Sequence, residues 1–337
     1  MKEYKDTSET SDDFHKIIPA KLRRGSHIRV IAPSRSMKII SEDCRQIAKE
    51  RLAELGITVS YGKHVDEIDE VVSSPVASRL EDLHEAFADP TVDGILTAIG
   101  GCNSNELLDY IDYDLIKRNP KILCGFSDIT ALTNAIYAKT GLVTYSGPHF
   151  SSFGMVKGID YTIEFFKKCL MQNEPFELYS SPDWSDDAWF LDQENRNFIK
   201  NSGYWIITPG IAEGRMLGGN LGLLDELKGT PYFPDIKNCI LFLEHCAENE
   251  LWTFNRNLQA LIQHPDFKTV KAVVFGRFQP GNKVDRPTLE KIILSKPELR
   301  NIPIIANVDF GHTTPIITFP SGGRVRIDVD KIKLMEF

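Results

Sequence analysis

Short apolar segments alternate with amphipathic helical patterns in the first half of the chain, and this alternation constrains its fold more than any other feature. Apolar runs occur at residues 27–32, 57–61, 94–99, 122–125 and 142–145. Between them apolar residues recur at helical spacing, as in residues 41–55, which end at Gly56. Because strands that alternate with helices favour a mostly parallel sheet, we predict a doubly wound α/β domain over residues 26–172.

Polar residues follow three of these predicted strands. Ser34 follows the first strand, residues 100–103 follow the third, and Ser127 follows the fourth. Ligands bind at the carboxyl ends of the strands in such sheets, so we expect these residues to share one crevice. Neither GxGxxG after the first strand nor GxxxxGK[ST] is present, which gives a dinucleotide-binding fold or a P-loop NTPase little support.

Two helices are predicted from local signals within this domain. Ser78 and Glu81 fit a capping box at the start of one helix, and another passes through Leu107 and Leu108. Residues 1–25 are interpreted as a polar N-terminal tail.

The pattern becomes irregular in the second half of the chain. Residues 173–208 are rich in Asp, Ser and Asn and include Trp184, Trp189 and Trp205, so we interpret them as an inter-domain connection with a functional or core-anchoring loop. Residues 209–337 are predicted to form a second, smaller domain, either α+β or barrel-like, closed by a glycine-rich hairpin at 321–323. The glycine pair before Asn220 suggests a backbone that approaches another surface closely.

Composition excludes several classes of function. A formal net charge of -8 disfavours a nucleic-acid partner, and no apolar run approaches the roughly 20 residues that span a bilayer. The six cysteines include no CxxC pair, and the N-terminus has no apolar secretory region. Reduced thiols in a cytoplasmic protein are therefore expected, without structural zinc.

Ser127 lies at the apex of a predicted strand–turn–helix segment, a position that suits a nucleophile. The alternative interpretation is that Ser127 or Asp128 caps the helix. A nucleophilic serine needs a base and a carboxylate, for which His312, in a Gly/Thr loop, and Glu244, at a strand end, are candidates. Backbone N–H groups of the Gly100–Gly101 turn and of Asp128 could stabilise an oxyanion. A metal site at Glu244, His245 and Glu248 is disfavoured because HExxH is absent.

Five segments in order, GFSDITAL, IGGCNSNELLDYIDYD, LGGNLGLL, ILFLEHCAEN and NVDFGHTTP, resemble the LD-carboxypeptidase family of serine peptidases. The resemblance implies a flavodoxin-like N-terminal domain and a smaller C-terminal domain, in a cytoplasmic homodimer. It also implies a metal-independent Ser–His–Glu triad of Ser127, His312 and Glu244, with an oxyanion hole at Gly101 and Asp128. We expect Trp184, Asn103 and Asn220 to bind substrate, with Trp189 as an alternative to Trp184.

The resemblance leaves the substrate open between two branches of the family. Murein LD-carboxypeptidases, which remove a terminal D-alanine from tetrapeptides, typically carry Arg-Gly-Gly-Tyr-Gly at the oxyanion turn, whereas this chain has Ile99-Gly100-Gly101-Cys102-Asn103. The latter is similar to the microcin C self-immunity branch, which cleaves the amide between an aminoacyl or peptidyl group and a nucleotide. We favour the second branch, keep the first as an alternative and keep a non-catalytic nucleotide-peptide binding protein as a third. No cofactor or metal is expected.

Overall fold

The computed structural model describes residues 16–247 and 250–337, whose strands form two large sheets and one short pair. The strands in chain order are β1 (His27–Ile31), β2 (Thr58–Tyr61), β3 (Gly94–Thr97), β4 (Ile122–Gly125), β5 (Thr144–Ser146), β6 (Phe176–Leu178), β7 (Asp183–Trp184), β8 (Ile199–Lys200), β9 (Trp205–Thr208), β10 (Ile211–Asn220), β11 (Cys239–Glu244), β12 (Ala272–Gly276), β13 (Ile304–Val308), β14 (Phe319–Ser321), β15 (Arg324–Asp328) and β16 (Lys331–Glu336). The α-helices are α1 (Glu42–Glu54), α2 (Val76–Ala88), α3 (Tyr113–Arg118), α4 (Ile129–Thr140), α5 (Asp160–Leu170), α6 (Leu221–Glu226), α7 (Leu251–Ile262) and α8 (Arg286–Leu294).

The first sheet is parallel except at one edge. Strands β2, β1, β3, β4 and β5 lie in that order, and β14 adds an antiparallel strand beside β5. This is the 2-1-3-4-5 order of flavodoxin-like folds, so the predicted doubly wound sheet is confirmed. Strands β3 and β4 are buried along their whole length, as expected for strands covered by helices on both faces.

The second sheet has eight strands in the order β6-β16-β15-β10-β11-β12-β13-β9. Its four strands from β10 to β13 are parallel, and the strands on either side of them are antiparallel. The sheet is open, with β6 and β9 at its edges, and is therefore not a closed barrel. Both edge strands come from residues 173–208, so part of the expected connection extends the second sheet.

Helix α4 joins the two sheets. Its Asn134 Nδ2 donates a hydrogen bond of 2.9 Å to the carbonyl oxygen of Gly218, and Thr130 Oγ1 accepts one of 2.9 Å from the Asn220 N–H. Gly219 has a φ of +126°, and a Cβ there would lie 2.5 Å from Thr130 Oγ1. The close approach expected at the glycine pair is confirmed, and it places the end of β10 beside the first turn of α4.

Three local predictions need correction. Helix α2 begins at Val76, directly after Pro75, so Ser78 lies inside the helix and does not cap it; the fixed φ of proline is compatible with a helix start. Leu107 and Leu108 lie in a 3-10 helix, Ser104–Tyr110. The glycines after Ser321 do not close a hairpin, because β14 pairs with β5 of the first sheet and β15 pairs with β10 of the second.

Part of the expected N-terminal tail packs against the first sheet. Residues 1–15 of that tail lie outside the described residues. From residue 16 onward the chain makes tertiary contacts, since Ile17 pairs with Leu142 and Leu22 is buried in the core. In residues 16–247 and 250–337, no helix combines the length and the apolar character needed to cross a membrane.

Candidate active site

Ser127 occupies the turn between β4 and α4 in a strained conformation. Its φ is +59°, in the left-handed region that residues other than glycine rarely adopt. Asp128, the N-cap residue of α4, makes no side-chain capping bond, so the capping interpretation is wrong for this residue. Its carboxylate instead accepts hydrogen bonds from Ser34 Oγ at 2.5 Å and from the Ser104 N–H at 2.9 Å. The ends of β1, β3 and β4 thus meet in one crevice, as predicted.

His312 links the Ser127 hydroxyl to the Glu244 carboxylate. Its Nε2 lies 2.9 Å from Ser127 Oγ, and its Nδ1 lies 2.8 Å from Glu244 Oε2. Glu244 ends β11, and His312 lies in the loop after β13. Gly311, with a φ of +107°, allows this approach, since a Cβ there would lie 3.1 Å from Glu244 Oε2. A hydroxyl, an imidazole and a carboxylate in this hydrogen-bonded order can activate a serine as a nucleophile.

Asn220 completes the surroundings of Glu244. Its Nδ2 donates a 2.8 Å hydrogen bond to Glu244 Oε1, while its Oδ1 caps α6 by accepting from the Gly222 and Leu223 N–H groups. Burial raises the pKa of Glu244, but His312 and the hydrogen bonds from His312 and Asn220 lower it by more, so the net pKa lies below the usual value. Glu244 is therefore ionised at neutral pH. These contacts favour a positioning role for Asn220, and its expected contact with substrate stays a prediction.

The Gly100–Gly101 turn packs against the Ser127 side chain. A Cβ on Gly100 would lie 3.0 Å from Ser127 Cβ and 3.2 Å from its Oγ. Among the described residues, no acceptor receives a hydrogen bond from the N–H group of Gly101 or of Asp128. Both N–H groups are therefore available to a ligand. Asn103 in the same turn is buried, and its Oδ1 accepts a 3.4 Å hydrogen bond from Ser34 Oγ; its contact with substrate also stays a prediction.

The tryptophan-bearing segment is attached to the loop of His312. The backbone of Ser185 exchanges two hydrogen bonds with Thr314, of 2.7 and 2.9 Å. Its neighbour Trp184 is half-buried, and its ring lies over the guanidinium group of Arg277 at 5.0 Å. Trp189 instead packs against the main hydrophobic core. Trp184 therefore directly precedes the residue that pairs with the loop of His312, and the choice between Trp184 and Trp189 as a ligand contact stays a prediction.

Sequence reasoning missed several residues around this site. His149 lies beneath the turn of Ser127, stacked on Phe126 with ring centroids 4.4 Å apart, and its Nδ1 is 2.7 Å from Thr97 Oγ1. Arg277 forms a buried ion pair with Asp309, whose carboxylate also binds Ser181. The residues of each group are distant in the sequence and belong to different elements, so no local pattern pointed to them.

The structure gives no support to a metal site. In the part of the chain that it describes, no group of three or more His, Cys, Asp or Glu side chains is arranged to hold a metal ion. Of the three residues weighed as ligands, Glu248 lies outside the described residues. Glu244 is already bound by His312 and Asn220.

Comparison with known proteins identifies the family. Residues 28–147 match the model of the LD-carboxypeptidase N-terminal domain, and residues 213–327 match that of the C-terminal domain. The chain belongs to the LD-carboxypeptidase family. The family consists of serine peptidases, so the predicted enzyme class and fold are confirmed.

Individual members of the family cover nearly the whole chain. A Bacillus subtilis relative named as a carboxypeptidase is 52% identical over 92% of this chain and 95% of its own length. The solved structure of a protein similar to the microcin immunity protein, from Bacillus anthracis, is 53% identical, covers 95% of this chain and 100% of its own, and has a TM-score of 0.94.

Relatives from both substrate branches are found. The microcin C7 self-immunity protein of Escherichia coli is 32% identical over 94% of each chain. A structure of that protein in complex with aspartyl sulfamoyl adenosine has a TM-score of 0.87, with coverage of 95% and 99%. A Bacillus subtilis relative named as a murein peptide carboxypeptidase is 29% identical over 92% of this chain and 91% of its own.

Proposed function

We propose that the protein is a serine hydrolase that cleaves the amide bond between an aminoacyl or peptidyl group and a nucleotide. The observation that carries this proposal is the hydrogen-bonded series from Ser127 Oγ through His312 to Glu244, with distances of 2.9 and 2.8 Å. The N–H groups of Gly101 and Asp128, which bond to no acceptor among the described residues, are the candidate donors for the oxyanion of an acyl-transfer reaction.

In the proposed mechanism, Ser127 Oγ attacks the carbonyl carbon while its proton passes to His312 Nε2. The N–H groups of Gly101 and Asp128 stabilise the oxyanion, and Glu244 orients the imidazole and stabilises its charged form. His312 then protonates the leaving nitrogen as the C–N bond breaks. A water molecule, deprotonated by His312, hydrolyses the acyl group from Ser127.

The nucleotide branch is favoured by the position of Trp184. Its half-buried ring lies on the segment attached to the His312 loop, where a planar base could stack on it. The complex of the E. coli relative with aspartyl sulfamoyl adenosine supports a nucleoside-linked aminoacyl ligand. Removal of D-alanine from a murein tetrapeptide is the second candidate, in accordance with the name of the Bacillus subtilis relative.

A paired assay separates these functions. The purified protein is incubated with an aminoacyl sulfamoyl adenosine or with a murein tetrapeptide, and the products are identified by mass spectrometry. We expect cleavage of the first compound, with loss of nearly all turnover in Ser127→Ala and none in Ser295→Ala, which removes an exposed hydroxyl. Cleavage of the tetrapeptide alone would favour the second candidate, and stoichiometric binding without cleavage would indicate a sequestering protein.

The assembly and location implied by the resemblance also remain proposals. We infer a cytoplasmic homodimer, which light scattering of the purified protein and cell fractionation can test. A monomer in dilute solution, or recovery in a membrane fraction, would contradict the respective inference.

A further inference from the structure

Asp186 is a half-buried carboxylate on the same segment as Trp184. It directly follows Ser185, whose backbone N–H and carbonyl groups both pair with Thr314 in the loop of His312. This pairing holds Asp186 beside the candidate triad.

One oxygen of Asp186 is fixed by the protein. Gln279 Nε2 donates a 2.7 Å hydrogen bond to Asp186 Oδ1, while Gln279 Oε1 accepts one of 2.7 Å from the Ala247 N–H. The Gln279 amide is therefore anchored at both ends, and its orientation is determined. Within residues 16–247 and 250–337, Asp186 Oδ2 receives no hydrogen bond from another residue.

Neighbouring carboxylates have cationic partners that Asp186 lacks. Asp187 pairs with Arg196 Nε at 2.8 Å, and Asp309 pairs with Arg277. No Lys, Arg or His of the described residues lies within ion-pair distance of Asp186. Burial raises the pKa of Asp186, while the hydrogen bond from Gln279 and the nearby His312 oppose that rise. A carboxylate that is oriented but unpaired beside a reaction centre is suited to bind a cationic group of the substrate.

We propose that Asp186 is a specificity-determining residue that binds the α-ammonium group of an aminoacyl substrate. This proposal rests on the proposed function and narrows its substrate class. In an aminoacyl nucleotide the α-nitrogen is two bonds from the carbonyl carbon that Ser127 attacks, so its positive charge lies close to the triad. In a murein tetrapeptide the corresponding nitrogen belongs to a peptide bond and carries no charge. Asp186 therefore favours a free aminoacyl group over a longer peptidyl group.

Binding of two matched ligands tests the proposal. Alanyl sulfamoyl adenosine and its N-acetyl derivative are titrated into Ser127→Ala protein, which prevents turnover, and their dissociation constants are measured by calorimetry. We expect the free amine to bind at least roughly tenfold more tightly than the acetylated ligand. When Asp186→Asn is introduced into the Ser127→Ala protein, the ratio of the two dissociation constants should come close to one. Asp183→Asn, which changes an exposed carboxylate of the same segment, should leave the ratio unchanged.

Each other outcome has a definite meaning. Equal binding of both ligands to the Ser127→Ala protein, or an unchanged ratio after Asp186→Asn, would overturn this proposal and leave the proposed function standing. Failure of both ligands to bind would overturn the proposed function and this proposal together. If circular dichroism shows that the Asp186→Asn variant does not fold, Asp186→Ser is used in its place. We expect the same loss of the difference in affinity between the two ligands.

Discussion

Arg277 and Asp309 form an ion pair in which the side chains are only 3% and 0% exposed. Arg277 supports the ring of Trp184, and Asp309 binds both the N–H and the hydroxyl of Ser181. Because Asp309 lies in the same loop as His312, this ion pair fixes the segment of Trp184 relative to the loop of His312.

Breaking this pair should destabilise the protein strongly. Asp309→Asn preserves the shape of the side chain but leaves the Arg277 charge buried without a counterion, so the free energy of unfolding should fall by about 3–5 kcal/mol. Urea denaturation measures the change. Glu290→Gln, which breaks the exposed Arg286–Glu290 pair, should cost less than about 1 kcal/mol. A loss of less than about 1 kcal/mol of unfolding free energy in both variants would show that the buried pair does not stabilise the protein strongly.

The backbone conformation of Ser127 should cost the protein stability. With a φ of +59°, Ser127→Gly should be more stable than Ser127→Ala by about 1 kcal/mol, because glycine adopts this region without strain. Both variants lack the hydroxyl, so their difference in free energy of unfolding isolates the backbone. At Ser295, whose φ is -70°, Ser295→Ala should instead be more stable than Ser295→Gly. Equal stabilities of the two Ser127 variants would show that the turn stores no strain.

Asn220 should have two roles that different substitutions separate. Asn220→Ala removes the cap of α6 and the donor to Glu244, and it should lower the free energy of unfolding by about 1–3 kcal/mol. Asn220→Asp preserves the cap but places a second carboxylate beside Glu244. We expect Asn220→Asp to lower kcat more than Asn220→Ala does, as measured with the cleaved substrate. Equal kcat values for Asn220→Asp and Asn220→Ala would indicate that a charge at position 220, beside Glu244, does not affect turnover.

His149 should make the protein sensitive to acid. Burial lowers its pKa to about 3, and His312 contributes in the same direction, whereas in the unfolded chain the pKa returns to the ordinary histidine value of 6.5. Between these two values the unfolded state binds the extra proton, so stability is lost as pH falls through this window. In His149→Phe the slope of unfolding free energy against pH, between about pH 5.5 and pH 4, should be shallower by up to about 1.4 kcal/mol per pH unit. An unchanged slope would mean that His149 binds a proton as readily in the folded protein as in the unfolded chain.

Trp184 should contribute to nucleotide affinity more than Trp189 does. Because base stacking on an aromatic side chain is worth about 1–3 kcal/mol, Trp184→Ala should weaken binding of a nucleoside-linked ligand by about 5-fold to 150-fold. Trp189→Phe, a change at the hydrophobic core, should leave the dissociation constant nearly unchanged. Calorimetry in the Ser127→Ala background measures both. Loss of affinity in the Trp189 variant alone would assign the stacking role to Trp189 instead of Trp184.

Local sequence patterns were sufficient for much of the fold. The bounds predicted for β4 agree with the structure at both ends, because a strong apolar run that stops at Gly125 delimits this strand. The shared crevice at Ser34 and Ser127 also followed from the sequence, since the ends of parallel strands meet at one edge. The assignments of Glu244 and His312 depended on the family resemblance as well as on their positions at strand ends.

Features that depend on pairing between distant segments could not be predicted. The hairpin expected after Ser321 was wrong because the partner of β14 is β5, and nothing in the glycine-rich sequence specifies a partner so remote. The ion pair of Arg277 with Asp309 joins two loops that only the completed second sheet brings together. The capping box at Ser78 was wrong because Pro75 starts the helix before it.

The antiparallel strand β14 has a consequence for biosynthesis. The sheet that carries Ser127 receives this edge strand from residues 319–321, close to the end of the chain. On the ribosome, the outer side of β5 therefore has no partner strand until residues 319–321 have been translated. Cutting the chain between the two sheets would consequently leave an N-terminal piece with an open hydrogen-bonding edge, prone to association with other strands.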